Sequence, residues 1–138
     1  KYLEMPYIKV YEIATFYTMY NLSPVGKYFV QVCTTSPCLI RGANKLVNIC
    51  KEKISKEENT LSENKICSWL EVECLGACVN APMMQINNDY YEDLDEKNTI
   101  EIIDSLLADK PIKSRSFRNR NSSAPEKDRP IQNGGKNA

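Results

Sequence analysis

Six cysteines and no histidine set the chemistry open to this chain of 138 residues. Four of the six fall in two close pairs: Cys33 and Cys38 in Cys33-Thr34-Thr35-Ser36-Pro37-Cys38, and Cys74 and Cys78 in Cys74-Leu75-Gly76-Ala77-Cys78. Within a pair both sulfurs can reach one small object. The stretch between the pairs is long enough to form a helix and return as a strand, so two loops can converge on one thiolate-ligated centre. The lack of histidine removes the commonest acid–base group and metal ligand, and with it Rieske ligation, haem held by His and His-based zinc catalysis.

Spacing leaves three kinds of centre open. Four thiolates suit a [2Fe–2S] cluster, two on each iron. They suit a structural zinc site equally well, for which gaps of two to four residues are typical. Two disulfides, or a redox dithiol, stand behind these. The C-x4-C-x2-C run of plant-type ferredoxins is missing because Arg41 occupies the third cysteine's place, and there is no C-x-x-C redox motif. Cys50 fits an apolar helix stripe and Cys67 opens a strand, so both read as structural. Glu71 and Glu73 read as a solvated strand face, and Trp69 as a packed or interface aromatic. No nucleophile–base arrangement or phosphate-cradling glycine loop is visible among the residues.

The elements that must position these thiols follow from the surrounding pattern. Lys27 to Cys33 is nearly continuous in β-formers, which suits a buried central strand ending at the first cysteine. Ser36 offers an N-cap and Pro37 a first helical position, predicting Cys38 in the first turn of a helix whose dipole favours thiolates. Leu39, Ile40, Ala43, Leu46, Val47, Cys50 and Ile54 continue as one apolar stripe. Ile66 to Cys74 alternates, predicting a half-buried strand with Leu70, Val72 and Cys74 on one face and Trp69, Glu71 and Glu73 on the other. Gly76 lets the next loop curl back so that Cys78 approaches. Met83 to Asn87 and Tyr90 to Leu94 flank Asn88-Asp89 as a hairpin. Asn98 or Thr99 can cap a last helix with Ile100, Ile103, Leu106 and Leu107 inward. Strand, helix, strand, hairpin and helix make an α/β sandwich of thioredoxin-like type, with both cysteine pairs at strand ends where open α/β folds place ligands.

Residues 1–22 read as the end of a helical region, in which Ile8, Val10, Ile13 and Ala14 form an apolar face and Phe16, Tyr17, Met19 and Tyr20 a packing cluster. Residues 23–110 read as the thioredoxin-like domain, and 111–138 as a basic, disordered tail. The chain opens at Lys1 inside a helix without an initiator Met, which predicts a missing upstream part. No signal or transit sequence and no membrane-crossing run is visible. Formal charge is zero but uneven: 11 Lys/Arg against 16 Asp/Glu up to Lys110, then 7 against 2. An acidic body with a basic tail favours a protein partner over nucleic acid.

Longer motifs carry a family resemblance. Glu12-Ile13-Ala14-Thr15-Phe16-Tyr17-Thr18-Met19-Tyr20, Pro24-Val25-Gly26-Lys27-Tyr28, Val32 to Cys38, Glu73-Cys74-Leu75-Gly76-Ala77-Cys78-Val79-Asn80-Ala81-Pro82-Met83 and Tyr90-Tyr91-Glu92-Asp93-Leu94 occur in the family's order. Over roughly residues 1–110 the chain resembles the thioredoxin-like [2Fe–2S] subunit of respiratory NADH:quinone oxidoreductase (complex I), also found in NAD-linked hydrogenases and formate dehydrogenases. The resemblance favours iron–sulfur over zinc and implies that Cys33, Cys38, Cys74 and Cys78 ligate one [2Fe–2S] cluster. It further implies a hetero-oligomer in which a flavoprotein subunit carries FMN, a [4Fe–4S] cluster and the NADH site. This chain would be the electron-transfer subunit of an oxidoreductase, with no complete active site of its own. It would be peripheral, on the cytoplasmic face of a bacterial inner membrane or in the mitochondrial matrix. Ala81-Pro82 resembles the place where thioredoxin folds carry a cis proline, although trans is the ordinary expectation for X–Pro. Glu71 and Glu73 before Cys74 predict a low-potential cluster, because nearby negative charge opposes adding an electron.

Overall fold

The computed structural model describes residues 4–124. Helix α1 (Tyr7–Phe16) comes first, followed by strand β1 (Tyr28–Cys33), the short helix α2 (Ser36–Ile40) and helix α3 (Ala43–Lys53). Strand β2 (Cys67–Val72), a 3-10 turn (Cys78–Asn80), the hairpin strands β3 (Met84–Ile86) and β4 (Asp89–Tyr91), and helix α4 (Glu96–Leu107) complete the described elements. The sheet order is β2-β1-β3-β4, with β1 and β2 parallel and the other pairs antiparallel. The expected thioredoxin-like α/β sandwich is what the chain forms.

β1 is central because alternation puts Val30 and Val32 into the core while its backbone pairs on both sides. Those two valines meet Trp69, Met84 and Ile86 from the neighbouring strands, and Leu46, Cys50, Ile102, Ile103 and Leu106 from α3 and α4. A fully buried aliphatic or aromatic side chain of this kind is worth about 1.5–3 kcal/mol of transfer free energy. Lys45–Glu96 and Lys53–Asp104, at 2.5 and 2.7 Å, link α3 to α4 along their solvent edge. Such exposed pairs add little.

Several expectations need correction. The apolar stripe from Leu39 to Ile54 is not one helix: it breaks at Gly42, whose φ of +101° is left-handed, and Leu39 and Ile40 turn out to solvent. Thr35, not Ser36, is the N-cap residue of α2, and Pro37 lies one residue later than expected in its first turn. β2 does not keep the expected alternation: Cys67, Ser68 and Trp69 are buried in succession, so the strand is covered on both faces at its start, and Glu71 is exposed further along. Trp69 is 1% exposed and heads the core, whereas Leu70 and Val72 are half-buried and Cys74 lies beyond the strand, exposed. The hairpin turn is Asn87-Asn88, one residue earlier than expected, with Asn87 left-handed. α4 is capped by Asp95, whose Oδ1 accepts from the Asn98 N–H at 2.7 Å; Ile102 faces inward in place of the expected Ile100. The Ala81-Pro82 bond is cis, not the ordinary trans.

α1 buries none of its residues, and Phe16, Tyr17, Met19 and Tyr20 are exposed. The three rings meet one another, with Tyr17 edge-on to both Phe16 and Tyr20. The packing cluster expected from the sequence therefore finds no core within the described residues. The tail expectation also changes: residues 112–122 are hydrogen-bonded to the domain, while 125–138 fall outside the described residues.

Candidate metal centre

Parallel pairing of β1 with β2 brings the two cysteine loops together, since Cys33 is in register with Val72 and both loops leave from the same sheet end. The Thr34 N–H donates to the Val72 carbonyl at 3.3 Å and the Cys33 N–H to the Met83 carbonyl at 3.4 Å, which pins the first loop between β2 and the cis-proline segment. Cys33 and Cys38 are 1% and 0% exposed, packed with Ala43, Ala81 and Met83 as a small core separate from the main one. Cys74 and Cys78 are exposed. The site is a rim with two buried sulfurs below and two accessible ones above.

All six cysteines are free thiols, so the disulfide reading is not what the chain displays. Cys74 and Cys78 Sγ lie 3.3 Å apart, and Cys33 and Cys38 are packed together in the small buried cluster. Among the described residues no three Cys, Asp or Glu side chains close on a single point. The four thiols stand as two pairs.

Gly76 is left-handed at φ +85°, a conformation costly for any residue with a Cβ, and it turns its N–H onto Cys74 Sγ at 3.4 Å. The Tyr90 hydroxyl donates to the Leu75 carbonyl at 2.7 Å and ties the loop to β4. The Gly76 N–H, followed by the Cys78 thiol and the Thr35 hydroxyl, holds the Cys74 thiol below its ordinary value; the contact with Cys74, then burial, pushes Cys78 up. Burial pushes Cys33 up, but the Thr35 hydroxyl at 3.3 Å, the backbone N–H groups of Leu75 and Thr35, and Cys38 outweigh it, and Cys33 ends below its ordinary value. Burial, then the contact with Cys33 and its charge, push Cys38 up to about 12. The helix dipole expected to favour the Cys38 thiolate does not prevail, because α2 is five residues long and the sulfur is sealed from water.

This donor set fits an iron–sulfur cluster: thiols without histidine, in pairs, with N–H and O–H donors aimed at sulfur. The family whose sequence pattern the chain matches, over residues 1–107, is described as thioredoxin-like [2Fe-2S] ferredoxin. The chain belongs to this family.

Relatives of this ferredoxin-family chain point the same way. It is 54% identical over 107 residues to the E subunit of the NADH-quinone oxidoreductase of Rickettsia bellii (strain RML369-C), covering 78% of this chain and 64% of that protein. It is 55% identical over 109 residues to the first E subunit of the NADH-quinone oxidoreductase of Rhizobium meliloti (strain 1021), covering 78% and 40%. The chain therefore spans less than two thirds of the length of these curated relatives. Among solved structures, an NAD+-reducing [NiFe]-hydrogenase in the H2-reduced state superposes with a TM-score of 0.67 at 19% identity, covering 78% of this chain and 18% of that one. The thioredoxin-like [2Fe-2S] ferredoxin of Aquifex aeolicus gives 0.51 at 20% identity, covering 62% and 90%. At these identities the two structures speak for the fold alone.

All four site cysteines expected from the sequence lie at this rim, while Cys50 and Cys67 are in the main core, as expected. Glu71 and Glu73 are exposed and line, with Cys74, a groove of about 570 Å3 on the open sheet face. Thr35 is a site residue that cysteine spacing does not single out, although the three hydroxyl residues between Cys33 and Cys38 are a signal. Tyr90 leaves none, because its contact with Leu75 exists only once β4 has paired.

Proposed function

We propose that this chain is a one-electron carrier in an NADH-oxidising complex, with Cys33, Cys38, Cys74 and Cys78 ligating one [2Fe–2S] cluster. The observation that carries the reading is the pairing of the four free thiols at the adjoining ends of β1 and β2. Two pairs match the needs of two irons. When bound, the cluster supplies reversible transfer of single electrons.

The chain's own residues do the rest. Ala43, Ala81 and Met83 keep water from the two inner sulfurs, and Gly76, Leu75 and Thr35 direct donors at Cys74 and Cys33. Burial and such donors are the levers by which a protein sets a cluster's potential. The outer pair is exposed, which leaves a short path for electrons from a docked protein. We assign the partner as a flavoprotein subunit carrying FMN, a [4Fe–4S] cluster and the NADH site, because proteins similar to this chain are named as subunits of NADH-quinone oxidoreductase. Hydride chemistry belongs to that partner. No helix among the described residues is long and apolar enough to cross a membrane. The proposed location is peripheral, on the cytoplasmic face of a bacterial inner membrane or in the mitochondrial matrix. Residues 23–110 are the proposed cluster domain.

Iron and sulfide analysis with EPR of the dithionite-reduced protein tests this. The expected result is two irons and two sulfides per chain with one unpaired electron per reduced cluster. Cys33→Ser, Cys38→Ser, Cys74→Ser and Cys78→Ser each lose iron or alter the spectrum, whereas Cys50→Ser and Cys67→Ser keep both irons. A colourless protein holding zinc and no iron would sink the reading.

A further inference from the structure

The segment after α4 lies beyond the stretch that matches the family, yet it stays on the domain and returns to the second cysteine loop. The Tyr91 hydroxyl donates to the Ile112 carbonyl at 2.7 Å. The Glu92 N–H donates to the Arg115 carbonyl at 3.1 Å and the Phe117 N–H to the Glu92 carbonyl at 3.0 Å, so the segment runs beside the end of β4. Ile112 and Phe117 pack against the main core. The chain then tightens around Ser116: its hydroxyl donates to Asp93 Oδ2 at 2.5 Å and accepts from the N–H groups of Arg118 and Arg120 at 3.3 and 3.2 Å.

That turn delivers Arg120 to a buried carboxylate. Arg120 Nη1 lies 3.2 Å from Asp93 Oδ1, with the two side chains 13% and 1% exposed, and the same nitrogen donates to the Val79 carbonyl at 3.1 Å. Asn80 Nδ2 donates to the Ser122 carbonyl and to Glu92 Oε2, both at 2.8 Å. Its Oδ1 has no hydrogen-bond partner among the described residues, so these two bonds hold the side chain. Val79 and Asn80 are two of the three residues of the turn that begins at Cys78. We propose that residues 112–122 form a strap whose Arg120, anchored on Asp93, positions the Cys78–Asn80 turn and so aims the Cys78 thiol.

The physical case is the fixed fork of the guanidinium. A buried carboxylate left unpaired is costly, so Asp93 commits Arg120 to one place, and the planar head then has a donor left for the Val79 carbonyl. Arg120 is a positioning residue that acts through the backbone of the turn. Its consequence for a cluster rests on Cys78 being a ligand, as proposed above; its hold on the turn does not.

The metal-free chain of 138 residues is compared by amide hydrogen exchange as wild type, Arg120→Ala, Arg120→Lys and Ser116→Ala. Arg120→Ala is expected to speed exchange about tenfold at Val79, Asn80 and Ala81 while Val30 and Val32 in β1 stay protected. Arg120→Lys recovers part of the protection, and Ser116→Ala gives the same pattern at smaller amplitude. In the iron–sulfur-loaded chain Arg120→Ala releases iron to a chelator about tenfold faster and alters the EPR line shape of the reduced cluster. Unchanged exchange at 79–81, or an equal rise throughout β1, overturns the strap. A wild type that takes up no iron and sulfide defeats the ligand assignment, and the metal-free exchange still decides the strap.

Discussion

Cys74 owes its character to one glycine. The left-handed Gly76 presents an N–H that a residue tied to ordinary backbone angles would turn away, and the sulfur beneath it is held toward thiolate. Since the thiolate is the nucleophile, Cys74 of the metal-free chain is expected to alkylate first, with a rate that levels off at a pH below that of an ordinary thiol. Burial, together with the charge of Cys67, pushes Cys50 up to about 12; burial and the charge of Asp109 push Cys67 up to about 11. Both should stay unmodified at pH 8 until the chain unfolds. Mass spectrometry after timed iodoacetamide treatment reads this order, and early labelling of Cys50 would contradict it. The paired glutamates make a second claim at this scale. Glu71→Gln with Glu73→Gln should raise the cluster potential, but by less than about 85 mV, because each of the two exposed charges is worth at most about 1 kcal/mol. A redox titration showing a fall, or a clearly positive wild-type potential, would refute it.

Between residues and fold, the elements divide sharply into those that hold the domain and those that do not. Leu46→Ala in α3 is expected to cost about 2–5 kcal/mol, since the side chain is 1% exposed among the strands. Phe16→Ala in α1, where the ring is 76% exposed, should change stability by less than about 0.5 kcal/mol. Parallel urea titrations compare the two, and a large loss on the second would show that α1 supports the core. Helical periodicity alone could not separate these helices, because an apolar stripe states what can be buried and not what it is buried against. The break between α2 and α3 was likewise hidden in a continuous apolar pattern, though Gly42 marked its place. Gly42→Ala should cost about 1–2 kcal/mol from its left-handed angle, even though a Cβ there would meet only the Lys45 side chain, at 3.8 Å.

At the scale of the whole molecule, the start of the sheet is tied to the end of the last helix. Lys27 Nζ and the Tyr28 hydroxyl both donate to Asp109 Oδ1, at 2.5 and 2.8 Å. The Lys27 ammonium and the Tyr28 hydroxyl hold the Asp109 carboxyl below its usual value, so its contribution is present above the unfolded-chain value and fades as pH falls through the lowered one. Asp109 raises Tyr28 and Lys27 in turn, so the contact also fades as pH climbs through their raised values. Asp109→Asn should therefore lower the urea midpoint at neutral pH and converge with wild type at strongly acid pH. A constant difference across the whole range would contradict this linkage. Charge segregation at this scale also acquires a partner: residues 112–122 of the basic segment meet the acidic body, with Arg120 on Asp93.

The thiol pairs, their neighbouring glycine, the absence of histidine and the order of strands and helices were all decided by the sequence, because each depends on residues a few positions apart. Even the motif resemblance drew on runs of contiguous residues. Tertiary structure alone decided that β2 is covered on both faces at residues 67–69 and open beyond, since a strand's pattern marks two faces but only its neighbours cover them. It alone routed the strap: Arg120 and Asp93 are 27 positions apart, and Asn80 and Ser122 are 42 apart. No local pattern encodes such pairings. They become favourable only when the sheet has formed and a buried carboxylate must find its counter-charge.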